Sequence, residues 1–410
     1  MKILFVTHYY ISQVPSTRIL HGLSQGLMKE GVEVHIITHA KGIKRELIEV
    51  VDGEIIHKVK KDNRLRIVRR LMALAYTYQK NQLAQLLRRM LLLICKKYIY
   101  IDYNMVRKVN ELVRENGIEV VIPVCQMSFN VISALEAYRK KPRFKLVPYF
   151  LDPFSTSTHD YSDIAYKVML ENELFSKCYK AIVTPEMYVE FEKKDSAYMG
   201  KMISLGFPML VPPKLLPAAD DIIFDKTKVN CVFVGTLNPD VRNSKYFFEI
   251  LRRSSEASIV FHLGGGSCER PEVLEMKAIM GERLQLHGII SNQAASNANM
   301  NADILVNIGN NMTNMLPSKL FGYFSTGKPL ISTYKSQNCP SISQTSKYPI
   351  CLEINEQLPI NDDVVDNFER FCLKHKGETL AYSVVEELYR ENTVVYAVGR
   401  FLEIIKECER

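Results

Sequence analysis

A lysine and a serine placed after a proline and before an apolar helical pattern can together hold an anion. Residues 314–331 read NMLPSKLFGYFSTGKPLI. The run just before them, DILVNI at 303–308, is short and apolar like a buried strand, and a polar loop covers Gly309 to Met315. Leu320, Phe321 and Phe324 then recur at helical spacing, Gly327 ends the pattern, and PLIST starts another strand. In open α/β sheets, ligands bind beyond the carboxyl ends of strands. A helix starting there presents unpaired N–H groups, and the Ser318 hydroxyl and the Lys319 ammonium would add to them. The pattern predicts a phosphate site on Pro317, Ser318 and Lys319. The plain alternatives are that Ser318 only caps the helix and that Lys319 is a solvated surface lysine.

Two further stretches sit at comparable places. HYYISQVPSTR follows the apolar run Ile3 to Thr7, and a helix beginning near Thr17 would let Ser16 and Thr17 form a second anion pocket with Arg18 reaching inward. YFLDPFSTSTHD places Asp152 directly at a strand end, with His159 and Asp160 in the loop beyond. A helix cap, a turn aspartate before Pro153 and an exposed loop pair are the plainer readings of these residues.

The elements that must position these groups alternate along the chain. The first apolar run, a helix over Thr17 to Glu30 with Gly31 as its stop, and a strand over Val32 to Thr38 make a βαβ unit. Strands recur at 119–124, 144–151 and 181–184, with a helix over 128–139. A second series begins at Val229: a strand, a helix over 245–252, the strands SIVFHL and RLQLHGII, then DILVNI. Residues 207–220 hold four prolines and read as a linker. The last periodic stretch, 381–408, reads as helical and amphipathic. The expected architecture is α/β, with two facing Rossmann-like, doubly wound domains. The first spans 1–210, with a C-terminal helix at about 390–410 packing back on it; the second spans 221–385.

Bulk properties narrow the partners. With 410 residues, 47% hydrophobic and 24% charged, the chain is of ordinary globular composition. The nine cysteines form no C-x-x-C pair, which argues against a zinc site or a disulfide framework. The start, MKILFVTHYY, is too short in apolar residues for a signal peptide, and no run is long enough to span a membrane. Net charge is +8, yet residues 58–108 alone hold fourteen Lys or Arg against two Asp. These cations interleave with Leu, Ile, Met and Tyr, which suggests a basic amphipathic surface for anionic lipid; a solvated helix pair is the plainer reading. No nucleic-acid motif accompanies the charge. No G-x-G-x-x-G follows the first strand, which argues against a dehydrogenase.

The strand-loop-PSKLF…GKP-L-I segment resembles the donor-nucleotide segment of GT-B glycosyltransferases. The likeness is closest to the retaining, family-4-like enzymes that build surface polysaccharides, and it extends to MKILFVTHYY, VFVGTL, HLGGGS and QLHGII. It implies a nucleoside-diphosphate sugar as donor and a glycan or lipid-linked saccharide as acceptor. The cysteine usage and the basic stretch together suggest a cytoplasmic enzyme, peripheral on the inner membrane face. By the same resemblance, Gly235 and Thr236 lie beside the diphosphate, with Arg242 as nearby positive charge in place of the family's usual basic pair. Gly264, Gly265 and Gly266 let the backbone turn or approach the nucleotide. His287, Gly288 and Ile289 meet the nucleobase through backbone groups, and Asn314 to Lys319 wrap the sugar and phosphates. Asp152 orients the acceptor hydroxyl or accepts its proton; Ser16, Thr17, Arg18 and His159 stand on the acceptor side. The chain departs from the family in two respects. Asn314 and Gly322 stand where many relatives carry glutamates, and the first loop lacks a Gly-Gly turn. No D-x-D ends a strand, so neither a catalytic metal nor a cofactor is expected. The alternatives are a nucleotide-sugar epimerase or hydrolase on the same fold, and a non-catalytic glycan-assembly partner.

Overall fold

A computed structural model describes the chain apart from residues 11–14, 41, 44, 64–66, 68–69, 72–81, 84, 87–89, 91–99, 126–127, 156–163, 216, 218–220, 239–241, 311–315, 318 and 410. The chain divides into two compact units. Unit 1 comprises Met1–Pro208 and Val394–Arg410, and unit 2 comprises Met209–Thr393.

Unit 1 contains β1 (Lys2–Val6), β2 (Glu33–His39), β3 (Leu47–Val51), β4 (Glu54–Val59), β5 (Val120–Cys125), β6 (Lys145–Leu146), β7 (Tyr149–Phe150), β8 (Ala181–Val183) and β9 (Met202–Ser204). The sheet order is β3-β4-β2-β1-β5-β7-β8-β9, with β6 beside β5. All pairings are parallel except β3 with β4. Leu4 and Val6 of β1, Val121 of β5 and Phe150 of β7 enter one apolar cluster with the helix Tyr103–Glu115. The single strand expected over 144–151 is divided into β6 and β7. Pro148 stands between them and has no N–H to give a ladder.

Unit 2 contains β10 (Val229–Val234), β11 (Ile259–Gly264), β12 (Leu284–Leu286), β13 (Ile304–Asn307), β14 (Leu330–Tyr334) and β15 (Cys351–Asn355). Their order is β12-β11-β10-β13-β14-β15, entirely parallel. The chain moves outward from β10 to β12, then returns to β10's other side and moves outward again. The β10–β13 boundary is therefore the topological switch point, where the loops beyond two neighbouring strands diverge and leave a crevice. The strand expected over RLQLHGII is only β12; Gly288, at φ 65°, turns the backbone away after it.

The helical stretch expected over 381–408 is two helices, Tyr382–Leu388 and Val394–Glu409, with a 3₁₀ turn at Arg390–Asn392. The break lies at the boundary between units. Tyr389 stays in unit 2, stacked on Phe324 at 4.4 Å, and its hydroxyl donates to the Gln344 carbonyl at 2.6 Å. The following helix packs on Pro15–Lys29 in unit 1. Gly22 and Gly26 permit that approach: a Cβ on Gly26 would lie 2.3 Å from Val398 Cγ2.

Candidate functional site

The two loops that leave the switch point of unit 2 carry the polar groups expected there. The loop after β10 begins at Gly235 and runs to the helix Lys245–Arg253. The loop after β13 runs to the helix Lys319–Ser325. Side chains from both converge on the carboxyl end of β10. Lys319 Nζ donates to the Val234 carbonyl at 3.2 Å and sits 4.3 Å from the centre of the Phe233 ring. The Arg242 guanidinium donates from Nε and Nη2 to Asn310 Oδ1, at 3.1 and 2.8 Å. Asn310 follows β13, so this contact ties one loop to the other.

Two cations thus share a small, half-covered space. Burial pulls the Lys319 ammonium down to about 7, and the Arg242 charge adds to the shift. Burial likewise lowers Arg242. Among the described residues, no carboxylate forms an ion pair with either. Holding two like charges together costs free energy that a bound anion would recover. A cleft of about 270 Å³ opens beside Arg242, lined also by Leu237, Asn243, Ser244, Lys245, Arg270 and Glu272.

The glycines shape the floor. A Cβ on Gly235, which has φ 157°, would lie 2.3 Å from Lys319 Nζ. Gly235 N–H donates to the Gly264 carbonyl at 2.9 Å, and Gly265 N–H donates to the Gly288 carbonyl at 2.6 Å. Gly265, at φ 120°, comes so close that a Cβ there would stand 2.5 Å from the Gly235 carbonyl oxygen. Three turns, after β10, β11 and β12, are laced by backbone contacts, and the approach of Gly265 to Gly235 leaves no room for a Cβ.

His287 donates its backbone N–H to Leu263. Its ring stacks on His262, with Nε2 3.0 Å from His262 Nδ1, and His262 Nε2 meets Asn230 Oδ1 at 3.1 Å. Burial pulls His262 down to about 4 and lowers His287 as well, so His262 is neutral at pH 7. Ile289 is 87% exposed, and Thr236 is exposed too.

Other expected positions are placed differently. Pro317 is not helical, and the described part of the helix is the seven residues Lys319–Ser325. Pro317 is buried, and its carbonyl accepts from Leu320 N–H at 3.1 Å. So short a helix sums few peptide dipoles, and the positive character of the place comes from side chains rather than from a helix end. Asn314 and Ser318 lie outside the described residues. Gly322 is exposed, and a Cβ there would meet nothing within 4 Å.

In unit 1 the first helix begins at Pro15, which puts Ser16 and Thr17 inside its first turn. Thr17 is buried, with its hydroxyl donating to the Tyr9 carbonyl at 3.3 Å, and Arg18 is exposed instead of reaching inward. The Ser16 side chain is outside the described residues, as are His159 and Asp160. Asp152 follows β7, half-exposed, with its N–H donating to the Cys125 carbonyl at 3.1 Å. Much of 58–108 also falls outside the described residues. Within it, Arg107 and Lys108 pair with Glu46 and Glu111, and Lys58 pairs with Glu49, which removes part of the local positive excess.

Sequence reasoning missed Asn310, Phe233 and Tyr323 in unit 2, and His8, His39 and Asp102 in unit 1. In unit 1, His39 Nε2 donates to Asp102 Oδ2 at 2.8 Å, and the Nδ1 atoms of His8 and His39 are 3.1 Å apart. No local pattern marks these residues; His39 and Asp102 are brought together by the fold.

No protein-family model and no curated protein matches the sequence. Solved structures do match over nearly its full length. Anabaena HepE, solved in complex with UDP, aligns with a TM-score of 0.65 at 11% identity, covering 99% of this chain and 100% of that one. Trehalose-6-phosphate synthase OtsA aligns at 0.65 and 10% identity, covering 99% of each chain. A Listeria monocytogenes protein assigned as a UDP-N-acetylglucosamine 2-epimerase aligns at 0.57 and 11% identity, covering 99% of this chain and 95% of that one. The chain has the GT-B fold, two Rossmann-like units in succession.

Proposed function

We propose that the protein is a glycosyltransferase that moves a sugar from a nucleoside-diphosphate donor to a glycan or lipid-linked saccharide, in the synthesis of a cell-surface polysaccharide. The observation that carries this reading is the meeting of Lys319 and Arg242 at the switch point of unit 2, with no carboxylate paired to either among the described residues. The shared fold with HepE, which binds UDP, supports it. In this reading the two cations and the glycine-lined floor hold the diphosphate. As the bond from sugar to phosphate breaks, negative charge grows on the leaving phosphate, and Lys319 and Arg242 stabilise it where it forms. Arg242 needs no reorientation, because Asn310 already fixes its guanidinium. Lys319 regains its proton as the anion arrives.

Asp152, at the carboxyl edge of unit 1, orients the acceptor hydroxyl or accepts its proton. Transfer proceeds with retention and without a metal. Peripheral binding to the cytoplasmic face of a membrane suits a lipid-linked acceptor. Among the described residues of the basic stretch, Ile67, Leu71, Leu83, Leu86 and Met90 are helical and exposed. Apolar side chains set among cations are the composition of an interfacial surface. No helix among the described residues is long and apolar enough to cross a membrane.

The test is thermal unfolding against UDP, GDP, CMP and NAD. A nucleoside diphosphate at a hundredfold excess over Kd adds about 2.7 kcal/mol. A shift with UDP or GDP is expected; none with any nucleotide points to a non-catalytic partner. The likeness to the Listeria protein keeps an epimerase as a second reading. Proton NMR of a nucleotide sugar separates the two, since an epimerase changes the sugar without an acceptor, whereas a transferase releases nucleotide when an acceptor is present.

A further inference from the structure

One proton donor at the carboxyl end of β10 finds no acceptor among the described residues. Tyr323 lies one turn after Lys319 on the helix Lys319–Ser325, so the two side chains leave the same helix face. Tyr323 is 3% exposed, and among the described residues its hydroxyl proton has no acceptor. The Val234 amide can only donate toward that oxygen, which leaves the phenol's own proton unspent, and the Arg242 guanidinium is near enough to bear on its ionisation. Burial nonetheless keeps the phenol protonated, so the group is an O–H donor.

A buried hydroxyl with nothing to bond costs stability, and phenylalanine would fill the space without that cost. The same helix uses phenylalanine at 321 and 324, where only packing is needed. The hydroxyl therefore has a use outside the packing of unit 2. Its neighbours show which. Lys319 rests on the carbonyl of Val234, and Arg242 faces the same strand end, so an anion drawn by the two cations arrives beside the phenol. A phosphate oxygen is an acceptor that a neutral O–H can serve without adding a third positive charge to the space. An enclosed hydroxyl reaches a ligand through movement of the side chains around it, and Lys319, which rests on the Val234 carbonyl, is the one an anion would draw outward.

We propose that the Tyr323 hydroxyl is a third donor, beside Lys319 and Arg242, to the phosphate oxygens of a nucleoside-diphosphate donor. The assignment rests on the donor-site reading above and names a contact that reading does not require.

The test is Tyr323→Phe, with titration calorimetry using UDP, GDP run alongside, and thermal unfolding of the unliganded protein. Loss of a hydrogen bond to a charged oxygen predicts UDP binding about tenfold to hundredfold weaker. The unliganded variant is expected to melt at the same temperature as the parent or higher, because the bond it lacks was never made. Equal UDP affinity in parent and variant overturns the role of Tyr323 alone. A lower melting temperature with unchanged affinity also overturns it, since the hydroxyl is then structural. Failure of the parent protein to bind either UDP or GDP brings down the donor site itself, and this contact with it.

Discussion

The two units share a parallel, doubly wound sheet, yet their carboxyl edges are furnished in opposite ways. In unit 1 the edge beyond β1 and β2 supplies its own anion. Asp102 accepts from His39 Nε2, from the backbone of Asp62 at 3.1 Å, and from Asn104 and Met105, whose helix it caps. Burial pushes its carboxyl up, but these donors outweigh burial and leave it below the ordinary value. In unit 2 the edge beyond β10 gathers Lys319 and Arg242, and among the described residues no carboxylate pairs with either. The same topology thus yields one edge whose charge is satisfied within the chain and one whose charge calls for a ligand. A strand end at a switch point marks where a ligand can sit; the balance of charge there indicates whether one is needed.

The largest effect expected separates the edges directly. Lys319→Ala removes one partner of a charge-assisted contact and should weaken UDP binding by about 2–5 kcal/mol, with little loss of stability. Calorimetry and unfolding of the same variant check both halves. Asp102→Ala should do the reverse. It loses a helix cap and hydrogen bonds to a buried carboxylate, about 2–4 kcal/mol of stability, and leaves UDP affinity unchanged. Weakened UDP binding in the Asp102 variant would erase the contrast between the edges. The stabilisation from Asp102 should be present above its ordinary value of 3.8 and lost as pH falls through the lower folded value.

Gly265→Ala comes next. The strained backbone and the approach to the Gly235 carbonyl should cost about 1–3 kcal/mol in denaturant unfolding. A neutral result would mean that the turns after β10 and β11 do not need their close contact.

The smallest effect is one of pH, and it has two signs. Lys319 is pulled from 10.5 to about 7 in the folded chain, so the unfolded chain holds that proton more tightly. Between about pH 7 and pH 10 the ligand-free protein therefore gains stability from this group as pH rises. Anion binding runs the other way, because the ammonium form is the one that binds. UDP affinity should fall above pH 7, by at most about tenfold per pH unit. Calorimetry at about pH 6.5 and pH 8.5, in buffers of different ionisation enthalpy, reads both the affinity and the proton uptake. Constant affinity with no uptake would detach Lys319 from the phosphate.

Much of the fold was legible in the chain, for reasons of range. The runs Ile3 to Thr7, Val229 to Val234 and DILVNI are apolar and short, and buried parallel strands leave that trace locally. Elements shaped by single residues were harder to bound. Pro148 split a strand read as continuous, and Gly288 ended β12 early. The stretch 381–408 kept its amphipathic period across a break because Tyr389 packs in one unit and Val398 in the other. Periodicity records that a face is buried, not against what.

At the candidate site the sequence by itself determined Lys319, since strand, loop, lysine and helix are neighbours in the chain and their order is local information. It also marked the glycines at 235 and 264–266 as turns, and at 235 and 265 a Cβ would collide. Only the tertiary structure decided that Arg242 would be steered by Asn310, that Tyr323 would bring an unpaired hydroxyl to the same strand end, and that His39 would find Asp102. Those partners stand 68, 85 and 63 positions apart for Arg242–Asn310, Lys319–Val234 and His39–Asp102. Pairings at such separation follow from the order of strands in a sheet. That order is set by how whole faces bury against one another, which no short stretch of residues encodes.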